Sequence, residues 1–584
     1  MAKRKKVTSA NADDGPIFID PRQPQMARDT PVISANKYGD DFDEAAYIAQ
    51  NPDVALAIAN GEVPNALYHY RIYGRQEGRA ASSPGEPALT GPGDRTKLAA
   101  PGSIFRKSSA QIPRASVEKI VMSQTGGIFV CGWTDDYAAR ICEIRIQWGK
   151  IDARFLESSL VRVRRRDAEA SLKIQAPRSF GFFGLLAPNH TQLSQEAVPT
   201  SECTVTILFA NGARWVAVEP ILVIPDHGLL ETALGYLANA EFCGNKAIES
   251  FSALDRGLGD VFVRYNRALS RGIVAAAASQ HFGKVGPKPK ASVIVCVYGR
   301  PEFVFLQNSN LLARPRADEY EFIYVCNSPE LIEPLFKIAR SSARIYGASQ
   351  TMVMLPGNAG FGGANNAASK FAKSDRLIFM NPDVLSKDGN WAVRHAEIIA
   401  ERPRSETDLF GSRLYYADGS LMHAGMYIVA DHEVSVQAGE IRPCTMLRVE
   451  HFGKGASPDR FAESSVVPAV SGALISVARP LYERLGGFSD EFVFGHYEDA
   501  DMCLRAFEDG TRTWVHDLAL WHLEGKGSTR LPFHEGASMV NRWLFTKKWK
   551  EKISGAFERP WPADAAMENA VPRKKKNRDL RKVP

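Results

Sequence analysis

From Ala291 onward the chain repeatedly sets a near-continuous apolar run (SVIVCVY, EFIYVC, TMVML, RLIFMN) before a segment of helical period. Runs without polar alternation are buried on both sides, and their alternation with helices predicts a parallel sheet covered on both faces. In such sheets ligands bind beyond the carboxyl ends of the strands, so chemistry is expected just after each run. The first run ends in Tyr298-Gly299-Arg300-Pro301-Glu302, and the second in Cys326-Asn327-Ser328. The third leads into the glycine-rich stretch Asn358 to Asn366, and the fourth ends in Met380-Asn381-Pro382-Asp383.

Gly360, Gly362 and Gly363 permit backbone amides to approach a phosphate at a helix start, where the dipole also favours an anion. The same glycines serve equally for a tight strand-to-helix turn. Asn365 stands where a dinucleotide fingerprint wants its third glycine, so an NAD-type Rossmann site fits poorly. Asp383 supplies an oxygen ligand suited to a hard divalent cation that also binds phosphate, although Asn-Pro-Asp is also a common turn. Glu498, Asp499 and Asp501 open a helix with the apolar stripe Ala500, Cys503, Leu504 and Phe507. Acids are ordinary at a helix start, and Asp501 lies four residues before Arg505, the spacing of an exposed ion pair.

At 584 residues the chain calls for roughly two to four cored units. Residues 1–37 are polar and broken by prolines, the pattern of a disordered N-terminus. Residues 38–80 form a small helical module with Tyr47, Tyr68, Tyr70 and Tyr73, aromatics that bind sugar in some modules and more often pack as core. A Pro/Gly/Ser-rich linker covers 81–112. Short alternating runs between turns over 113–225 predict a β-sandwich accessory domain, and 226–288 reads as a helical connector. The α/β domain takes 289–555, and 556–584 is a basic disordered tail.

Apolar residues at 45% and charged residues at 24% describe an ordinary folded protein. No run reaches the roughly eighteen apolar residues of a membrane span, and MAKRKK leads into polar sequence, so a cytoplasmic location is expected. The net charge of +6 owes much to the two ends, which suit peripheral contact with anionic membrane lipid; no nucleic-acid module is evident. The eight scattered cysteines lack CxxC pairs and read as buried thiols.

The strings SVIVCVYGRPE, NAGFGGANN, IFMNPDV, SGALISVARPLYERLGGFSDEF, YEDADMCLRA and WHLEGKGS follow one another across about 291–530. In order and spacing they resemble the large inverting nucleotide-sugar glycosyltransferase family that includes bacterial rhamnosyltransferases. The resemblance implies the GT-A fold, a Rossmann-like mixed sheet, for the C-terminal α/β domain of this multidomain chain; the β-sandwich and helical module before it lie outside the resemblance. It implies a divalent cofactor, Mg²⁺ or Mn²⁺, held by Asp383 and His522, with Asn381 opening the reduced metal motif. Asp499 matches the catalytic base. Tyr298, Asn327, Asn358, Gly360, Gly362, Gly363, Asn365, Asn381, Gly472 and Glu498 match donor-binding positions, and Cys326 replaces an acid that contacts the nucleotide base in many relatives. The implied partners are a nucleotide-sugar donor and a glycan, lipid-linked or protein acceptor, in surface glycan or glycoprotein assembly. The competing reading is a scaffold that binds carbohydrate or nucleotide sugar without turnover. Single histidines such as His423, His496, His516 and His534 carry little information by themselves.

Overall fold

The computed structural model describes residues 44–59, 66, 112–136, 140–174, 177–188, 202–284, 288–311, 319–347, 349–387, 391–402, 404, 406–437, 440–526 and 531–557. The expectations for 1–37, for most of the linker, for Tyr68, Tyr70 and Tyr73, and for the basic tail beyond Phe557 lie outside these residues. Met1–Phe105 and Arg106–Pro584 are two compact units. In the first, helices Glu44–Gln50 and Pro52–Ala59 meet at Asn51, whose side-chain amide donates to the Tyr47 carbonyl at 2.7 Å. Pro52 sits at the first helical position, where its missing N–H costs nothing. Tyr47 is fully buried with Val54 and Ala66, so this aromatic is core.

The second unit opens with two sheets. A five-stranded sheet centres on Ala115–Ser123 and Ile128–Thr134, and a four-stranded sheet on Ile141–Trp148 and Glu202–Phe209. Period-two alternation sends Ile144, Ile146 and Trp148 inward, where they share a core with Val117, Ile120 and Val130 of the other sheet. The opposite face of the five-stranded sheet is covered too. Phe129, Cys131, Phe183 and Leu185 pack with Leu229, Leu230, Leu234 and Leu237 of helix Asp226–Asn239, which is why Ile128–Thr134 is almost uniformly buried.

The large mixed sheet has eleven strands: β1 Ala278–Phe282, β2 Ala291–Val297, β3 Tyr320–Cys326, β4 Gln350–Met354, β5 Arg376–Met380, β6 Val384–Ser386, β7 Leu409–Tyr415, β8 Leu421–His423, β9 Ser465–Val466, β10 Leu474–Ala478 and β11 Thr513–His522. Its order is β1-β4-β3-β2-β5-β10-β7-β11-β6, with β8 on β7 and β9 on β11. The neighbours β4-β3-β2-β5 are parallel, whereas β10 runs antiparallel to β5. All of β2 is buried, and its side chains alternate between two cores: Val293, Val295 and Val297 face Val304, Leu335 and Ala339, while Ile294 and Cys296 join Ala364 and Ala367. This is the two-sided cover that the unbroken apolar runs demand.

Two features depart from expectation. The segment expected to be a helical connector ends in β1, which pairs antiparallel with β4, so edge pairing overrides the helical preference of the Ala275–Ala278 run. Cys142 and Cys243 are exposed and Cys444 is half-buried, while the other five cysteines are buried thiols.

A long hairpin, Met426–Gln437 with Glu440–His451, packs on the C-terminal helix Pro532–Phe557. The Leu447 amide donates to Thr546 Oγ1 at 2.9 Å, and Arg542 donates to Asp431 Oδ2 at 2.7 Å. The same helix crosses Asp226–Asn239 so closely that a β-carbon on Gly536 would lie 2.1 Å from the Leu234 carbonyl oxygen. Trp543, fully buried, lies against Gly259 and donates its Nε1–H to Asp255 at 3.2 Å. Among the described residues, no helix is long and apolar enough to cross a membrane.

Candidate active site

The turn after β5 carries Asp383. The Asn381 amide donates to the Ala473 carbonyl at 3.0 Å and the Val384 amide to the Asn381 carbonyl at 3.2 Å, while Gln307 Nε2 donates to both Asn381 O and Val384 O. β6 then pairs antiparallel with β11, opposing Val384 to His522. That register brings His522 Nε2 to 3.3 Å from Asp383 Oδ1, with both side chains buried. His522 Nδ1 lies 3.3 Å from the Met422 sulfur. If Nδ1–H donates to that weak acceptor, Nε2 turns a lone pair toward the carboxylate, and a proton or a cation must lie between them. Adjacent oxygen and nitrogen ligands of a divalent ion sit about 3 Å apart, given metal–ligand distances of about 2.1 Å. The pair therefore fits a cation that completes its shell with phosphate oxygens. Among the described residues no group of three or more His, Cys, Asp or Glu is arranged to hold a metal by itself.

Asp499 stands at the start of helix Glu498–Glu508, with Oδ2 accepting from the Gly472 amide at 2.8 Å. A β-carbon on Gly472 would press on the Phe361 ring at 3.2 Å and touch Asp499 Cβ at an ordinary 3.5 Å. Gly472 and Ala473 thus bracket the site: the amide of one holds Asp499, and the carbonyl of the other holds the Asp383 turn. Glu498, beside Asp499, is 5% exposed, and its Oε2 has no hydrogen-bond partner among the described residues. Burial, reinforced by the charge of Asp499, pushes its carboxyl well above the usual range.

The chain reaches this helix through an unusual turn. Phe494, His496 and Tyr497 have φ of 56°, 80° and 74°, left-handed values that bulky residues rarely adopt. Asn541, fully buried on the C-terminal helix, holds this turn by accepting from the Val493 amide at 2.7 Å and donating to Val493 O and Gly495 O at 2.9 and 2.6 Å.

At the other strand ends, Asn327 accepts from the Ala359 amide at 2.8 Å and donates to Asn358 Oδ1 at 2.8 Å, and Asn358 Oδ1 accepts from the Gly360 amide at 2.9 Å. These bonds join the loops after β3 and β4. Tyr298 lies near Asn358, and burial pushes its hydroxyl up to about 12. Gly360 has φ of 75°, and a β-carbon there would lie 2.7 Å from the Phe494 carbonyl oxygen. At Gly362 and Gly363 a β-carbon would meet Phe488 Cβ at 3.0 Å and Ser270 Oγ at 2.5 Å. The glycine pattern is therefore accounted for by close packing of helix Gly360–Ser369, and the Gly360 amide is already engaged by Asn358. Asn365 lies buried in that helix, donating to Phe361 O at 3.0 Å, with Oδ1 lacking a partner among the described residues.

Cys326 is buried, with Sγ donating to the Ser328 carbonyl at 3.0 Å. Asp501 pairs with Arg505 at 2.8 Å, but the pair is not exposed as its spacing suggests: Asp501 is fully buried and also bonds Lys548 at 2.9 Å and Trp549 Nε1 at 3.0 Å. The structure thus brings Asp499, Glu498, Gly472, Asn381, Asp383 and His522 around one strand-end bracket, and links Tyr298, Asn327, Asn358 and Gly360 in a second cluster. Sequence reasoning overlooked Asn541 and the pair His423–His451, whose partners are distant in sequence.

No known protein-family profile matches the chain. Over 283 residues, 47% of this chain, it is 26% identical to the O-antigen biosynthesis protein RfbC of Myxococcus xanthus, matching 19% of that protein. Over 165 residues, 27% of this chain, it is 27% identical to the uncharacterized protein y4gI of Sinorhizobium fredii (strain NBRC 101917 / NGR234), matching 16% of it. Each match thus spans less than a fifth of the curated relative's length. Two solved structures are similar at 14% identity. GalNAc-T7 with UDP, GalNAc and Mn²⁺ matches over 46% of this chain and 50% of its own, with a TM-score of 0.32. The mannosyltransferase PcManGT from Pyrobaculum calidifontis, in complex with GDP-Man and Mn²⁺, matches over 57% of this chain and 90% of its own, with a TM-score of 0.29.

Proposed function

We propose that this chain is an inverting glycosyltransferase that moves a sugar from a nucleotide-sugar donor to a hydroxyl acceptor in assembly of a bacterial surface glycan. The observation that carries the reading is the bracket at Gly472-Ala473, which holds a single carboxylate, Asp499, beside the buried Asp383–His522 pair. The likeness to an O-antigen biosynthesis protein supports the glycan setting.

In this reading the acceptor hydroxyl gives its proton to Asp499 as its oxygen bonds the anomeric carbon. The bond from that carbon to the diphosphate oxygen breaks on the opposite side, and the diphosphate leaves with the electron pair. A positioned base of this kind contributes about 10²–10⁴ in rate. Asp383 and His522 would hold Mg²⁺ or Mn²⁺, which when bound offsets charge developing on the leaving diphosphate. Burial and the charge of Asp499 both disfavour a second negative charge on Glu498 beside the base. Asn381 fixes the turn that presents Asp383, and Tyr298, Asn327 and Asn358 shape the nucleotide side. The Gly360, Gly362, Gly363 and Asn365 helix supports that side through its packing.

The test is release of nucleoside diphosphate from a panel of UDP-, GDP- and dTDP-sugars with Mn²⁺ or Mg²⁺. Turnover of one donor, lost on chelation and in Asp383→Ala, is expected. Metal-independent glycan binding with no turnover of any donor would instead favour a scaffold.

A further inference from the structure

Two consecutive amides tie Asp499 to a histidine pair that the proposed reaction does not use. Gly472 N–H donates to Asp499 Oδ2 at 2.8 Å, and the preceding amide, Ser471 N–H, reaches His423 Nε2 at 3.4 Å. Gly425 N–H meets the same ring nitrogen at 3.3 Å. A nitrogen that accepts from backbone N–H groups carries no proton, so His423, 1% exposed, is protonated on Nδ1. That Nδ1 lies 2.9 Å from His451 Nδ1, which must accept, and the proton of His451 is thereby fixed on Nε2. The rings pack edge to face with centroids 4.9 Å apart.

Burial holds both imidazoles below their usual range, and the charge of Asp499 acts on His451 more strongly than those of Lys454, Glu524 and Glu450. His451 ends the long hairpin and, unlike His423, is only partly buried; among the described residues its Nε2 is not one of the buried side-chain atoms left without a partner, so it keeps some access to solvent. The fold thus sets a neutral, orientation-locked donor near the candidate base. A sugar acceptor carries hydroxyls on adjacent carbons, whereas water offers a single oxygen.

We propose that His451 is an acceptor-binding residue whose Nε2–H donates to a hydroxyl adjacent to the one that Asp499 deprotonates, so that the site selects a vicinal diol of a sugar. The inference rests on the reading of Asp499 as base. His451→Phe keeps a ring but removes both the Nε2–H donor and the Nδ1 that accepts from His423, whereas His451→Gln offers an N–H of similar reach and a carbonyl oxygen that can accept. Transfer to methyl pyranosides with vicinal diols is measured against hydrolysis of the same nucleotide sugar by water. His451→Phe is expected to lower transfer by about tenfold while hydrolysis holds, with partial recovery in His451→Gln, the scale of one hydrogen bond. Unchanged transfer, or an equal loss of transfer and hydrolysis, overturns the proposal. A second arm needs no acceptor: ¹⁵N-histidine spectra of the full chain should show Nδ1–H on His423 and Nε2–H on His451, and the reverse assignment overturns it. Asp499→Asn that transfers like the wild type would overturn the base reading and the placement of the hydroxyl relative to Asp499, whereas the tautomer assignment and the effect of His451 on transfer would stand.

Discussion

Glu498 and Asp499 are sequence neighbours at one helix start, yet their surroundings divide them. Asp499 takes the Gly472 amide, whereas Glu498 Oε2 is buried without a partner among the described residues. Burial and the Asp499 charge raise the Glu498 carboxyl in the folded state, so the native protein binds this proton more tightly than the unfolded chain does. Its contribution to stability is full below the unfolded value, about 4.3, and is lost as pH rises toward the raised folded value. Glu498→Gln should flatten the decline of Tm with pH above about 5, and a variant curve parallel to the wild type would contradict the assignment. At this scale the sequence was partly legible. The run end at Asp383 and the helix start at Glu498-Asp499 could be read from the apolar pattern, whereas His522 was singled out only by the family resemblance. The burial of Asp501 was not legible, because its partners Lys548 and Trp549 lie on a helix far along the chain. The tautomer of His451 was equally hidden, since it is set by backbone amides from two other segments.

Among elements, the glycine-rich helix and the turn before the Glu498 helix act as one joint. Gly360 has a left-handed φ and lies against the Phe494 carbonyl, and the Phe361 amide donates to that same carbonyl. Gly360→Ala adds both backbone strain and a contact at 2.7 Å, so it should cost about 1–3 kcal/mol in chemical denaturation. It should also slow turnover by displacing the turn that carries Asp499. Unchanged stability and rate would refute the coupling. The glycine pattern could be read in the sequence as a tight approach, but not which segment approaches. Nothing in the string FVFGHYED foretells three left-handed residues, because the strain is sustained from outside by Asn541.

In the whole molecule, the two upstream sheets, the helices after them and the mixed sheet belong to one compact unit, Arg106–Pro584. Strand and helix types were legible from apolar period. Their shared core was not, because helix Asp226–Asn239, which carries Leu229, Leu230, Leu234 and Leu237, joins one core with the five-stranded sheet and with the C-terminal helix. A fragment starting at 226 would uncover these leucines, each worth about 1.5–3 kcal/mol when buried. It should melt well below the full chain, and an unchanged Tm would show that the upstream sheets fold as a separate body. The proposed chemistry rests on one carboxylate, Asp499. The most direct measurement compares Asp499→Asn with wild type on the donor found by the hydrolysis screen, recording donor Kd and transfer rate together. The account predicts a rate lower by about 10²–10⁴ with Kd nearly unchanged; a rate within a few-fold of wild type would contradict it.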